Sequence, residues 1–180
     1  KEILDIDQDP SQWIERDFEY TSYDLNGKIA YSFDEINNLT LGIDYTSDNH
    51  QHQKYYTVSY LGTRTLNPGG TDGKTNFNNL GIYLQMILNP AIFFNFGFLE
   101  ELTFTAGYRF DYHNIYGDVL TYRLAAVYQF NKQLSTKLMY GTSFNAPSPV
   151  QLYTNYIAPG GIVGNPDLKP EKAKTLEWAL

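Results

Sequence analysis

From Tyr23 to Phe33 every odd position is apolar or glycine (Tyr23, Leu25, Gly27, Ile29, Tyr31, Phe33), while Asp24, Asn26, Lys28, Ala30 and Ser32 fill the even ones. A β-strand turns successive side chains to opposite faces, so this stretch reads as a strand with one greasy and one wet side. The alternation resumes after a short polar turn with Leu39, Leu41, Ile43 and Tyr45, which predicts a hairpin. It returns on even positions in Leu80 to Leu88, Leu102 to Tyr112, Tyr122 to Phe130 and Leu134 to Tyr140. A last strand starts near Lys172 with Leu176, Trp178 and Leu180 on one face, and the chain ends inside it. The expected fold is all-β, antiparallel, with about seven strands and no helix.

The connections are unequal. Turns at 34–38 and 131–133 are short and 89–100 is intermediate, whereas 47–76 and 145–171 each run to about thirty residues. With strands alternating in direction, the tight turns fall at one end and the long loops at the other, which is how outer-membrane barrels sort their connections. Residues 55–63 fit this scheme as the strand of 39–45 continuing past the membrane, with 66–73 as the loop tip.

The apolar rows carry no charge, and Asp24, Lys28, Asp44, Arg109, Asp111, Arg123 and Lys137 fall on the opposite face. A lipid-facing row demands this, because Lys or Arg at the bilayer midplane costs about 2–4 kcal/mol while a watery lumen accepts charge. The expected interior is wide and wet. The longest nearly apolar run, residues 91–99, is about half of what a spanning helix needs, so any crossing is by strands. Sixteen Tyr and eleven Phe suit strand ends at a membrane interface. A net charge of -7, with 13 Lys and Arg against 20 Asp and Glu, excludes nucleic acid as a partner. With no Cys, there are no disulfides or thiolate metal sites. The three His have no Ser or Asp at a catalytic spacing, and Pro68 breaks the phosphate-loop pattern at 69–75, so the chain is not expected to be an enzyme. No cofactor or metal is expected. Two other architectures meet the pattern: a soluble β-sandwich binding module and a passive porin-like barrel.

The strand of 134–144 stops at Pro147 and Pro149, which lack an N–H and release the chain from its neighbour. "YGTSFNAPSPVQLY" at 140–153, followed by "GNPDLKPEKAKTLEW" at 164–178, resembles the signature of TonB-dependent outer-membrane receptors. Gly141, Phe144, Ala146, Pro147, Ser148, Leu152 and Tyr153 fit the first element, and Gly164, Asn165, Pro166, Leu168, Pro170 and Glu171 fit the second. "AGYRFDY" at 106–112 is similar to a barrel strand of the same family.

The resemblance implies a fragment, residues 1–180, of a barrel of about 22 strands that is plugged by an N-terminal domain. Such receptors import siderophore-iron, vitamin B12 or heme with energy delivered through TonB. The implied partners are the rest of the barrel, the plug, TonB, a small-molecule nutrient, and outer-membrane lipid with its lipopolysaccharide. The plug, signal peptide and terminal strands lie outside these 180 residues. "YGTSFNAPSPVQLY" leans toward the vitamin B12 receptors, and the His that heme receptors carry between the two motifs has no counterpart here. His50 and His52, spaced to point to one side of an extended segment, and Tyr156 are candidate ligand contacts in the outer loops. Lys169, Lys172 and Lys174 cluster where the last strand enters the outer leaflet and are candidate contacts for lipopolysaccharide phosphates.

Overall fold

The computed structural model describes residues 2–5, 12–17, 19–52, 54–67, 73–154 and 163–180. In chain order its strands are β1 (Glu2–Asp5), β2 (Gln12–Asp17), β3 (Tyr20–Ser32), β4 (Asn38–Gln51), β5 (Lys54–Ser59), β6 (Arg64–Leu66), β7 (Lys74–Leu88), β8 (Leu102–His113), β9 (Gly117–Asn131), β10 (Leu134–Asn145) and β11 (Glu171–Ala179). One helix, α1 (Pro149–Tyr153), follows β10. The chain divides into two compact units. One takes in 24–46, 79–145 and 170–180, and the other 1–23, 47–78 and 146–169.

The first unit is built on the seven-stranded sheet, ordered β11-β10-β9-β8-β7-β4-β3. These are the seven expected strands. Their register joins the separate apolar rows into one face: Leu84 lies opposite Tyr108, Tyr108 opposite Tyr122, Leu124 opposite Tyr140, and Tyr140 opposite Leu176. Directly opposed residues share a face, so the greasy side is continuous across β7 to β11. It carries Tyr23, Tyr45, Tyr112, Tyr122 and Tyr140 toward one end and Phe33, Phe104, Tyr128, Phe130 and Trp178 toward the other. Leucines and isoleucines lie between, giving the aromatic-aliphatic-aromatic banding of a bilayer-spanning wall. Leu124, in mid-sheet, is 51% exposed, so the described residues leave this face uncovered.

The opposite face is polar, but it is not simply open. Arg109 donates Nε and Nη2 to the two carboxylate oxygens of Asp111 at 2.8 Å each, and Nη1 to Asp44 Oδ2 at 2.6 Å. Asp111 is buried, and the Asn79 amide donates to its Oδ1. Gly81 lies opposite Asp111 on β7, where a Cβ would come within 2.3 Å of the guanidinium, so a side chain there would force Arg109 to shift from its path over β7 to β4. Thr46 Oγ1 donates to Asp24 in the same way between β4 and β3.

The structure corrects the sequence reading in four places. Residues 55–63 do not prolong the strand of 39–45: β5 is separate and lies in a four-stranded sheet ordered β1-β2-β5-β6. Trp13 pairs with Val58 and Val58 with Arg64, which gives β5 partners on both sides, and Tyr55 and Val58 are buried. Residues 2–17, assigned no element from sequence, supply β1 and β2. The expectation of no helix fails at α1 and at two single-turn 3-10 segments, Pro90–Ile92 and Gly97–Leu99. Finally, β9 begins at Gly117 rather than near Tyr122, so the connection from β8 is a tight turn at 114–116. That turn lies at the same end of the sheet as the two long connections, so length sorts the connections less completely than expected. Within it, the His113 ring stacks on Tyr116 at 3.9 Å and its Nδ1 accepts from the Ile115 N–H. The loop tip expected at 66–73 falls on residues 68–72, outside the described residues, apart from its ends.

Candidate functional site

Each half of the paired motif straddles the two units. Within the sheet, Phe144 lies opposite Lys172 and Asn145 opposite Glu171, so the end of one motif pairs with the end of the other in the β10–β11 ladder. Pro147 and Pro149 then end the ladder, as expected.

Within the loop unit the two motifs meet again. Ser148 caps α1 through a reciprocal box: its Oγ accepts from the Gln151 N–H at 3.3 Å, and its own N–H donates to Gln151 Oε1 at 2.8 Å. Pro149 occupies the first turn, where its missing N–H costs nothing. The short helix drives Leu152 inward, and Leu152 is 1% exposed. Against this turn lies Gly164, whose N–H donates to the Thr154 carbonyl, while the Asn165 N–H donates to that of Gln151 at 2.8 Å. A Cβ on Gly164 would come within 2.7 Å of the Leu152 carbonyl carbon and oxygen and the Tyr153 nitrogen, all backbone atoms that cannot swing aside. The Asn165 side chain then accepts from the Asp167 N–H at 2.9 Å, closing a turn over Pro166 that delivers Leu168 and the approach to Pro170. The motif residues are thus a folding device that ties the start of a long connection to its end.

His52 joins this assembly. Its Nε2 lies 2.7 Å from Thr75 Oγ1, its N–H donates to the Gly73 carbonyl, and its ring stacks on Tyr153 at 5.0 Å and 11°. Phe77 meets Tyr153 edge-on at 6.0 Å, and His50 meets Phe77 at 6.4 Å. Burial lowers the pKa of His52, and burial followed by the neighbouring His52 lowers that of His50. Both imidazoles are therefore held toward the neutral form. They are brought close to one motif, to Tyr153 directly and through Phe77. Among the described residues no group of three or more His, Asp or Glu could hold a metal ion. Tyr156 lies outside the described residues.

In the same unit the buried Glu15 pairs with Arg64, whose guanidinium lies 4.1 Å from the centre of the Tyr56 ring. Sequence reasoning assigned none of these three. It also placed Arg109, Asp44 and Asp111 only on the wet face, without the network they form. The capping box had a legible signal, Ser148 followed three residues later by Gln151.

The lysines divide between the units. Lys169 belongs to the loop unit, whereas Lys172 and Lys174 stand on β11 on the same row as Leu176 and Trp178, hence on the greasy face. Glu171 and Glu177 point the other way.

An antiparallel sheet with a banded apolar face, a charged and hydrogen-bonded opposite face, and open edges at β3 and β11 is the architecture of an unclosed segment of a transmembrane β-barrel. The family described as "TonB dependent receptor-like, beta-barrel" matches residues 5–178, and the chain belongs to that family. The chain is also similar to the vitamin B12 transporter BtuB of Vibrio vulnificus (strain CMCP6), with 37% identity over 97 residues. That match covers 54% of this chain and only 13% of the relative. Neither the family nor this relative is an enzyme.

Proposed function

We propose that this chain is a portion of the barrel wall and outer loops of an active importer in the bacterial outer membrane, and that its cargo is vitamin B12 or a close corrinoid. The single observation that carries the import reading is the double joining of the two Pro-bearing motifs, once in the β10–β11 ladder and once at Leu152 and Gly164. A passive porin-like barrel would lack these two Pro-bearing motifs, and the family of the chain favours the same reading. The similarity to a vitamin B12 transporter favours the cargo over siderophore-iron and heme. The full receptor's partners on this reading are outer-membrane lipid, the remaining strands, a plug and TonB. The present residues supply wall and loop, and no reaction.

The test is uptake. The full-length gene is expressed in a bacterium lacking its own vitamin B12 receptor, and labelled cyanocobalamin is followed into the cell. The expected result is uptake that disappears in a strain without TonB. Uptake that persists there would point to a passive pore. Failure to bind cobalamin together with energised uptake of a ferric siderophore would overturn the cargo.

A further inference from the structure

The connection from β7 to β8 is uncharged from Leu88 to Leu99 and holds Phe93, Phe94, Phe96 and Phe98 within six residues. Joining two antiparallel strands asks for no such thing, since a short polar turn at 132–133 does it between β9 and β10. The four rings are between 57% and 68% exposed, and Ile92 is exposed beside them. They pair with one another: Phe93 meets Phe94 edge-on at 6.5 Å, and Phe96 stacks on Phe98 at 6.2 Å.

Polar side chains hold the foot of this segment. Asn89, buried at its start, donates Nδ2 to the Glu100 carbonyl at its end and accepts through Oδ1 from the Ala91 N–H, both at 2.8 Å. The Asn89 N–H donates to Asn37 Oδ1 in the turn between β3 and β4. Asn37 is itself fixed by Asp34, which accepts its N–H at 2.7 Å and its amide at 2.6 Å. The two 3-10 turns, Pro90–Ile92 and Gly97–Leu99, both lie against β8. The connection is therefore fastened to the end of the sheet with its rings left outside.

An exposed apolar patch of this size marks a surface that something else covers. β7 and β8 each have a strand on both sides, so the turns at 33–37 and 132–133 flank the connection along the wall. It leaves the sheet beyond the pairs Leu88–Phe104 and Leu102–Tyr128, at the end where the greasy face carries Phe33, Phe104, Tyr128, Phe130 and Trp178. Ile36 of the adjacent turn and Ile92 line one hollow, which continues the apolar surface of that face into the connection. Protein-binding patches draw on Trp, Tyr and Arg for directed contacts, and residues 88–99 hold none of the three. Hydrocarbon requires none. Charge returns only at the border, with Glu100 and Glu101 after the patch and Asp34 and Glu35 in the adjacent turn, as an interfacial segment needs where it meets water.

We infer that the β7–β8 connection is a membrane anchor, whose Phe93, Phe94, Phe96 and Phe98 rings enter the phospholipid leaflet at the inner end of the wall. It fixes the depth of β7 and β8 by a loop rather than by a strand. The inference rests on the barrel reading and is independent of the cargo.

The full-length receptor carrying Phe93→Cys, Phe94→Cys, Phe96→Cys or Phe98→Cys is labelled with bimane and reconstituted in vesicles of phosphatidylethanolamine and phosphatidylglycerol, with or without bromine on the acyl chains. Leu124→Cys, on the greasy row of β9, is the reference for lipid contact, and Lys132→Cys, in the polar turn, is the reference for water. The four labels are expected to lose fluorescence to brominated lipid as the label at 124 does, and to resist aqueous iodide that quenches the label at 132. Iodide quenching without bromine quenching would overturn the anchor. Shielding from both reagents would also overturn it, and would assign the rings to a protein partner, the plug included. Bromine quenching at 124 alone removes the anchor and keeps the lipid-facing wall, whereas none at 124 removes the wall itself. If a cysteine at one of the four positions prevents folding, Asn95→Cys in the same segment reads the same contact.

Discussion

Leu124 in the seven-stranded sheet is 51% exposed, and Leu152 in the loop unit is 1% exposed. The first lies on a face that the protein leaves to a solvent of hydrocarbon, and the second is enclosed by its own chain. Buried charge occurs in both, since Glu15 of the loop unit is buried against Arg64, but the groups that supply most of the order differ. In the sheet, Asp111 is buried beneath a guanidinium that grips it with two hydrogen bonds. In the loop unit the backbone groups of Gly164, Asn165 and Thr154 supply the order, and His52 packs as a ring that burial holds toward its neutral form. The sheet is thus an inside-out element whose stability lies in its ladder and its buried charges. The loop unit follows the rules of a water-soluble protein.

The largest effect that would break this contrast lies at Arg109. Arg109→Ala leaves Asp111 buried without its cation, and the expected loss is about 3–5 kcal/mol, seen as a lower urea midpoint for the folded, heat-modifiable barrel. Removing Asp111 as well should return part of that loss, since the uncompensated charge is gone. A smaller effect distinguishes the two faces of the sheet. Leu124→Arg should cost about 2–4 kcal/mol in a bilayer, whereas Gln85→Arg, on the wet face, should be close to neutral in the same folding assay. In the loop unit, Ser148→Ala removes the cap of α1 at a cost of about 1 kcal/mol, and should speed proteolysis around 146–154 without shifting the barrel's unfolding midpoint. The smallest effect is one of pH. Because burial depresses the pKa of His52 from 6.5, the unfolded loop takes up a proton before the folded one does. The stabilisation is complete above pH 6.5 and fades as the pH falls below it. Amide exchange at 73–75 and 152–154 should therefore quicken between pH 7.5 and 5.5 while exchange in β8 and β9 holds steady.

The sheet was legible in the sequence because period-two alternation under lipid is a strict rule, which Leu102 to Tyr112 obeys without exception and Leu80 to Leu88 obeys along its lipid row, with Tyr83 and Ile87 on the other row. The start of β9 escaped because Val119 is an apolar residue buried on the wet face, so the stretch Gly117 to Thr121 does not alternate. β5 escaped because Tyr55, Tyr56, Val58 and Tyr60 prolong an apolar run with nothing in it to mark a change of sheet. α1 is too short to show a helical period, and only its cap betrays it. Of the site, the motif residues could be named from their resemblance, but what they do could not. That Gly164 must lack a Cβ, and that Leu152 is the residue it packs against, are facts of backbone approach between the two ends of one connection, which no local pattern of residues reveals. The lysines of β11 could be counted in the sequence, but only the pairing of Lys174 with Thr142 and Leu176 with Tyr140 puts them on the lipid side.

The claim beneath all of this is that one face of the sheet meets lipid and the other meets water. Single cysteines placed along β9 from Tyr122 to Tyr128 in the full-length receptor, spin-labelled and reconstituted in bilayers, test it most directly. Labels at 122, 124, 126 and 128 should collide with molecular oxygen, and those at 123, 125 and 127 with a water-soluble nickel chelate. Equal access of both reagents along the strand, or the reverse alternation, would contradict it.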